Sequence, residues 1–286
     1  MRVLALLIAS LVTGLTASTV SNATDLGVVR RTMDEQVALI RPFTETRIPS
    51  SATGPVPTII MFHGCGGLRE VQETYAQAAL DHGYGVMIVD SNGARGIGRL
   101  AAMSQVCLGL RLWGQERAAD VFASLVLARE DARLDADRLA LIGWSHGGWT
   151  VLEALSDVGL GEMPAALAID NDASSALAGV RSAITFYPYC GFPVRSDGRS
   201  FARDIPLHAI LAGRDVIAPP GACETIFERA SSTGFPVDYA VWPGLTHAFD
   251  EPNPPADPRI HFDAEAAGRA RDHLISILDR DLAPQG

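Results

Sequence analysis

The 286-residue chain contains no lysine, and its 23 basic residues, all arginine, stand against 33 acidic ones for a formal net charge of −10. An acidic balance of this kind lacks the clustered basic surface that phosphates require, so nucleic acid is excluded as a partner. C-x-x-C and H-E-x-x-H spacings are also missing and the seven histidines are scattered, so neither a metal nor a cofactor is expected. The glycine-rich stretch 93–98 lacks the strand-then-helix setting of a phosphate-binding loop and reads as a plain loop. Internal repeats and low-complexity tracts are absent, although residues 251–258 form a stiff, proline-rich connector. Past the first residues no apolar run reaches 18, so no membrane span is expected in the mature chain.

What is present begins with a leader. Arg2 precedes an apolar run over residues 3–15 and a small polar stretch over 16–23, the outline of a secretory signal peptide. Ser21 and Ala23 supply small residues where a signal peptidase reads, which places cleavage after Ala23, with a site near Ala17 or an uncleaved N-terminal helix as alternatives. Residues 1–23 are therefore set aside, 24–286 is read as one domain, and a periplasmic or secreted location is expected. The remaining ~260 residues suit a single α/β domain with a large core. Cys65, Cys107, Cys190 and Cys223 are an even number in an exported chain, which favours two disulfides over free buried thiols. Spacing leaves all three pairings open.

Short apolar runs at 57–62, 85–89, 139–142, 183–187, 207–211 and 237–242 read as buried strands. Amphipathic stretches at 70–82, 115–130, 147–156, 222–231 and 263–280 alternate with them, the last placing Ala267, Ala270, Leu274, Ile277 and Leu278 on one face. This alternation predicts an α/β fold, a mostly parallel doubly wound sheet with helices on both faces. Residues 37–48 are expected to add antiparallel edge strands. The stretches 91–114 and 157–179 fit neither period and are expected to be long loops near the site.

The chemistry centres on Gly143-Trp144-Ser145-His146-Gly147, a G-x-S-x-G motif directly between a strand and a helix. Such a turn holds its central residue in a strained conformation and presents the serine oxygen outward. Serine is a weak nucleophile at neutral pH, so a base and an orienting carboxylate are required. In the order Ser, Asp, His the chain offers Asp215 at a strand end and His247 after the last strand. Of the other histidines, His208 falls in a strand and His82 and His273 fall on helices, while Asp170, Asp172 and Asp250 are the rival carboxylates. His63-Gly-Cys-Gly-Gly67 follows the first parallel strand and allows close backbone approach, so the oxyanion donors are assigned to the N–H groups of Cys65 and His146. Tyr187 and Trp144 are candidates for lining an acyl pocket, against core packing, and Arg95 for drawing in a substrate carboxylate, against a solvated loop.

Six segments carry a resemblance: His63-Gly-Cys-Gly-Gly67, Val89-Asp-Ser-Asn-Gly-Ala-Arg-Gly96, Gly143-Trp-Ser-His-Gly-Gly148, Phe186-Tyr-Pro-Tyr-Cys-Gly191, Ala212-Gly-Arg-Asp215 and Thr246-His-Ala-Phe249. Together, over roughly residues 57–278, they resemble the dienelactone hydrolase family of the α/β-hydrolase superfamily. The best-known members use a cysteine nucleophile, so Ser145 points to a serine branch. The resemblance implies the α/β-hydrolase fold, Ser145, Asp215 and His247 as the triad and Cys65 as an oxyanion donor. Its strand order further implies the disulfides Cys65–Cys107 and Cys190–Cys223.

The resulting expectation is a serine hydrolase cleaving a small-molecule ester or lactone through an acyl-enzyme. A serine peptidase or lipase/polyesterase on the same scaffold, or a catalytically silent exported binding protein, are the alternatives. Nothing in the pattern specifies an oligomeric state.

Overall fold

The structure, a computed structural model, describes residues 27–168 and 173–283; the leader assigned to 1–23 lies outside them. The apolar runs form strands because their side chains are covered on both faces. β1 (Thr44–Arg47), β2 (Val56–Phe62), β3 (Gly85–Val89), β4 (Leu134–Trp144), β5 (Val180–Phe186), β6 (Leu207–Ala212) and β7 (Val237–Trp242) make one sheet ordered β1-β3-β2-β4-β5-β6-β7. β3 and β6 are buried at every position, whereas the outer strand β7 alternates between half-buried and exposed residues. All neighbouring pairs are parallel except β1 with β3, where Thr44 faces Val89 and Arg47 faces Val86.

Two layers of helix enclose the sheet. On one face lie α1 (Met33–Ile40), α3 (Gly114–Glu130), α4 (His146–Gly159) and α5 (Pro220–Ser232), whose buried side chains merge with Ile60, Phe62, Leu139 and Leu141. α2 (Glu70–Asp81) and α6 (Ala264–Asp281) cover the other, packing on Ile59, Met61, Ile142 and Phe186. The face of α6 read from its period is the buried one, and Ala266 and Ile275 join it. Among the described residues no helix is long and apolar enough to cross a membrane.

Three sequence expectations need correction. Residues 37–40 belong to a helix, not to an edge strand: the Thr32 hydroxyl accepts from Glu35 N–H while the Glu35 carboxylate accepts from Thr32 N–H, a reciprocal cap that starts α1. Only Thr44–Arg47 of the stretch 37–48 pairs as a strand. The stretch 91–114 is likewise not bare loop, since it contains a 3-10 turn at Gly93–Arg95 and helical turns across residues 99–106. At 157–179 the helix α4 continues to Gly159 before the chain turns away.

Parallel strands place their carboxyl ends along one edge of the sheet. Phe62, Trp144 and Ala212 therefore deliver His63, Ser145 and the Asp215 turn to the same edge, the position where open α/β sheets hold their ligands.

Candidate active site

Ser145 sits between β4 and α4 with φ 52° and ψ −113°, a conformation costly for any residue with a Cβ. The residues two positions to either side, Gly143 and Gly147, are glycine because the chain cannot close up otherwise. A Cβ on Gly143 would stand 2.3 Å from the Gly147 carbonyl oxygen, and one on Gly147 would stand 2.0 Å from that of Phe62. Ser145 N–H donates to Phe186 O at 2.9 Å, tying the turn to β5.

The three side chains expected to act together are in contact. Ser145 Oγ lies 2.9 Å from His247 Nε2, and His247 Nδ1 lies 2.6 Å from Asp215 Oδ2. The other carboxylate oxygen of Asp215 accepts the N–H groups of Ile217 and Ala218, both at 2.8 Å. With two backbone donors on one oxygen, the carboxylate has a fixed orientation and directs the remaining oxygen at the imidazole. That geometry assigns the proton to His247 Nδ1 and leaves Nε2 to accept from the serine. Gly213 N–H donates to Trp242 O and Arg214 N–H to Leu245 O, which holds the Asp215 turn against the loop carrying His247.

Asp250, a rival carboxylate, is turned elsewhere. It is fully buried and accepts from Tyr187 Oη at 2.6 Å, Tyr75 Oη at 2.8 Å and Trp144 Nε1 at 3.3 Å. Burial raises its pKa above the usual carboxylate range against the pull of those donors. The other rivals, Asp170 and Asp172, lie outside the described residues.

Cys65 and His146 line the same cleft as Ser145, and no acceptor for their N–H groups is found among the described residues. Behind them lies Arg117, a fully buried arginine on α3. Its Nη1 donates to His63 O at 2.7 Å and stands 3.2 Å from His146 Nδ1, so one guanidinium joins both segments that carry those N–H groups. Burial first, then the Arg117 charge, then His63, hold the His146 pKa well below its ordinary value, and a neutral imidazole can accept from the guanidinium. Burial draws Arg117 itself down to about 9, opposed by Asp120, so it is cationic at neutral pH. Sequence reasoning missed Arg117, which sits in the amphipathic stretch 115–130 with Glu116 and Asp120 and carries no distinguishing spacing.

Of the three candidate substrate contacts, two line the cleft above Ser145 and one does not. This cleft, about 730 Å³, includes Tyr187 and Trp144 in its wall. Both are nearly buried, and their polar atoms bond to Asp250. Tyr187 sets its ring edge-on to the His247 imidazole, centroids 4.8 Å apart. Arg95 is a correction: it is turned inward, where both terminal nitrogens bond to the buried Asp120 at 2.9 Å, and it is not part of the wall. A buried carboxylate one face away outcompetes solvent for that guanidinium.

The cysteines pair as Cys65–Cys107 and Cys190–Cys223, with Cα atoms 5.0 and 5.1 Å apart. Each bond ties a loop at the cleft to a second segment, the turns at 99–106 for one and α5 for the other.

Residues 163–282 match the dienelactone hydrolase family, and residues 70–159 match the prolyl oligopeptidase family. Each match covers less than half of the chain, so the chain is similar to the dienelactone hydrolase family over residues 163–282. No curated protein sequence matches the chain. Among solved structures, one from Klebsiella pneumoniae subsp. pneumoniae MGH 78578, assigned as a dienelactone hydrolase, superposes with a TM-score of 0.61 at 16% identity, over 83% of this chain and 92% of that one. A dienelactone hydrolase-like promiscuous phosphotriesterase from metagenomic libraries gives 0.59 at 14% identity, over 84% and 92%. A thermophilic esterase from the Planctomycetes species Thermogutta terrifontis, bound to propionate, gives 0.56 at 16%, over 85% and 91%. At these identities the likeness is one of fold.

Proposed function

We propose that this hydrolase cleaves carboxylic esters or lactones through an acyl-enzyme on Ser145. The observation that carries the reading is the unbroken contact from Ser145 Oγ through His247 to the Asp215 carboxylate at the floor of an open cleft. His247 Nε2 takes the hydroxyl proton as Ser145 Oγ attacks the acyl carbon, and Asp215 steadies the imidazolium. The carbonyl oxygen, now negative, is received by the N–H groups of Cys65 and His146, each expected to contribute about 3 kcal/mol. Collapse expels the alcohol, which takes its proton from His247. Water then repeats the sequence against the acyl-enzyme and releases the acid. Arg117 positions the oxyanion donors by bonding to the His63 carbonyl and facing His146.

Export fits this reading. Two disulfides persist in an oxidising compartment, and the leader over 1–23 would deliver the chain there. The domain is then 24–286.

The test is Ser145→Ala assayed on p-nitrophenyl acetate, with circular dichroism to check folding. Turnover is expected to vanish into background in a folded protein, and retained turnover would remove Ser145 from the mechanism. The prolyl oligopeptidase match over 70–159 favours a second reading, an amide-cleaving enzyme. Paired aryl ester and aryl amide substrates of the same acyl group separate the two, and ester preference is expected.

A further inference from the structure

Resting on the esterase reading above, we infer that the cleft takes uncharged esters with a bulky apolar group and turns away those bearing a carboxylate. Three observations lead there.

The first is that the aromatic wall offers faces, not donors. Trp113 Nε1 donates to Gly109 O at 2.6 Å, Trp149 Nε1 to Glu153 Oε1 at 2.7 Å, and Tyr189 Oη to Phe192 O at 2.8 Å. Trp144 and Tyr187 both donate to Asp250. Each tryptophan and tyrosine of the wall thus has its N–H or O–H bonded to another atom of the protein, so a ligand meets ring surface there. A site built to hold a polar substituent would aim such groups at it.

The second is that the charged groups of the wall are already paired. Arg69 Nε lies 3.2 Å from Glu251 Oε2, and Arg259 Nη2 lies 2.6 Å from Asp257 Oδ2. Two cations meet two anions, and a carboxylate entering this space would find no unmatched positive charge while losing its water. With Arg95 bonded to Asp120, the arginine nearest in sequence to that task is withdrawn as well.

Third, the mouth is apolar and exposed. Leu108, Phe192 and Val216 are 68%, 73% and 63% exposed and all line the cleft. Leu108 follows Cys107 and Phe192 lies two residues after Cys190, so the disulfides fix this rim in place, and Val216 adjoins Asp215. Rigid, exposed apolar side chains at the entrance of a reactive site mark a surface that ligands cover.

The experiment compares the p-nitrophenyl ester of hexanoic acid with the p-nitrophenyl monoester of adipic acid, two acyl chains of one length that differ by a methyl or a carboxylate at the end. Ser145→Ala with p-nitrophenyl acetate runs in parallel. Hexanoate is expected to exceed adipate in kcat/KM by about a hundredfold, and to exceed acetate by about tenfold. The first ratio is expected to persist in about 1 M salt, where screening shortens to about 3 Å. Phe192→Ser and Leu108→Ser are expected to lower the hexanoate-to-acetate ratio, and Val216→Arg to raise adipate relative to hexanoate. Equal rates for hexanoate and adipate, a ratio that vanishes in salt, or an adipate preference would overturn the inference while leaving the esterase reading in place, provided that Ser145→Ala is inactive on acetate. Turnover of acetate by Ser145→Ala would overturn both.

Discussion

Asp215 and Asp250 are two buried carboxylates within one cluster of loops, and their partners give them different tasks. Asp215 receives two backbone N–H groups on one oxygen and the His247 imidazole on the other, which fixes the orientation of the carboxylate. Asp250 receives two phenols and an indole from core aromatics, and burial raises its pKa despite them. In the proposed mechanism one carboxylate orients a base that gains and loses a proton. The other fastens Tyr187, Tyr75 and Trp144 together beneath it, and Tyr187 in turn packs against His247. Nearness along the chain therefore does not pick out the partner of His247: Asp250 is three residues away, yet the imidazole contacts Asp215.

The sharpest way to break this comparison is to neutralise each carboxylate in turn. Asp215→Asn is expected to lower kcat/KM on an aryl ester by about 10⁴-fold, because an amide stabilises the wrong histidine tautomer. Arg117 extends the comparison to a buried cation: Arg117→Met should lower kcat about a hundredfold at little cost in KM, as a lost oxyanion donor does, and Arg117→Lys should recover part of it. Asp250→Asn should act mainly on folding, lowering stability by about 1–3 kcal/mol in denaturant titrations with activity within about tenfold of the parent. An activity loss for Asp250→Asn as deep as that for Asp215→Asn would erase the distinction.

A smaller effect comes from Asp157, where burial, together with the charge of Glu153, raises the pKa from 3.8 to about 7. A pKa raised on folding means the native state holds a proton that the unfolded state has released, so stability is full below about 4 and lost as pH rises through about 7. Arg199, 3.1 Å away, offsets only part of this. Thermal unfolding should show Asp157→Asn gaining on the parent protein between pH 5 and pH 8, and a constant difference would contradict the sign.

The sheet and the meeting of Ser145, Asp215 and His247 at one edge of it were legible because each position rests on local pattern. Apolar runs such as 85–89 have nowhere to lie but inside, and a serine between glycines at a strand-to-helix junction has one common use. α1 was misread because Val37 to Ile48 suggests short edge strands, while Thr32 and Glu35, which start the helix, lie upstream of that window. Arg95 and Arg117 were not legible at all. Whether an arginine faces solvent or a buried carboxylate depends on Asp120 and His63, which reach it through the packing of α3 against the sheet and not through any spacing in the chain. The disulfide partners were not legible from spacing, which allowed three pairings, but the family resemblance implied Cys65–Cys107 and Cys190–Cys223, the pairs observed.

The most direct trial of the account is intact-mass and peptide-mass spectrometry of the protein quenched in acid during turnover of a p-nitrophenyl ester. A mass increase equal to the acyl group, located on the peptide containing Ser145, is the predicted result. An unmodified protein under steady turnover, or an acyl group on a different residue, would contradict it.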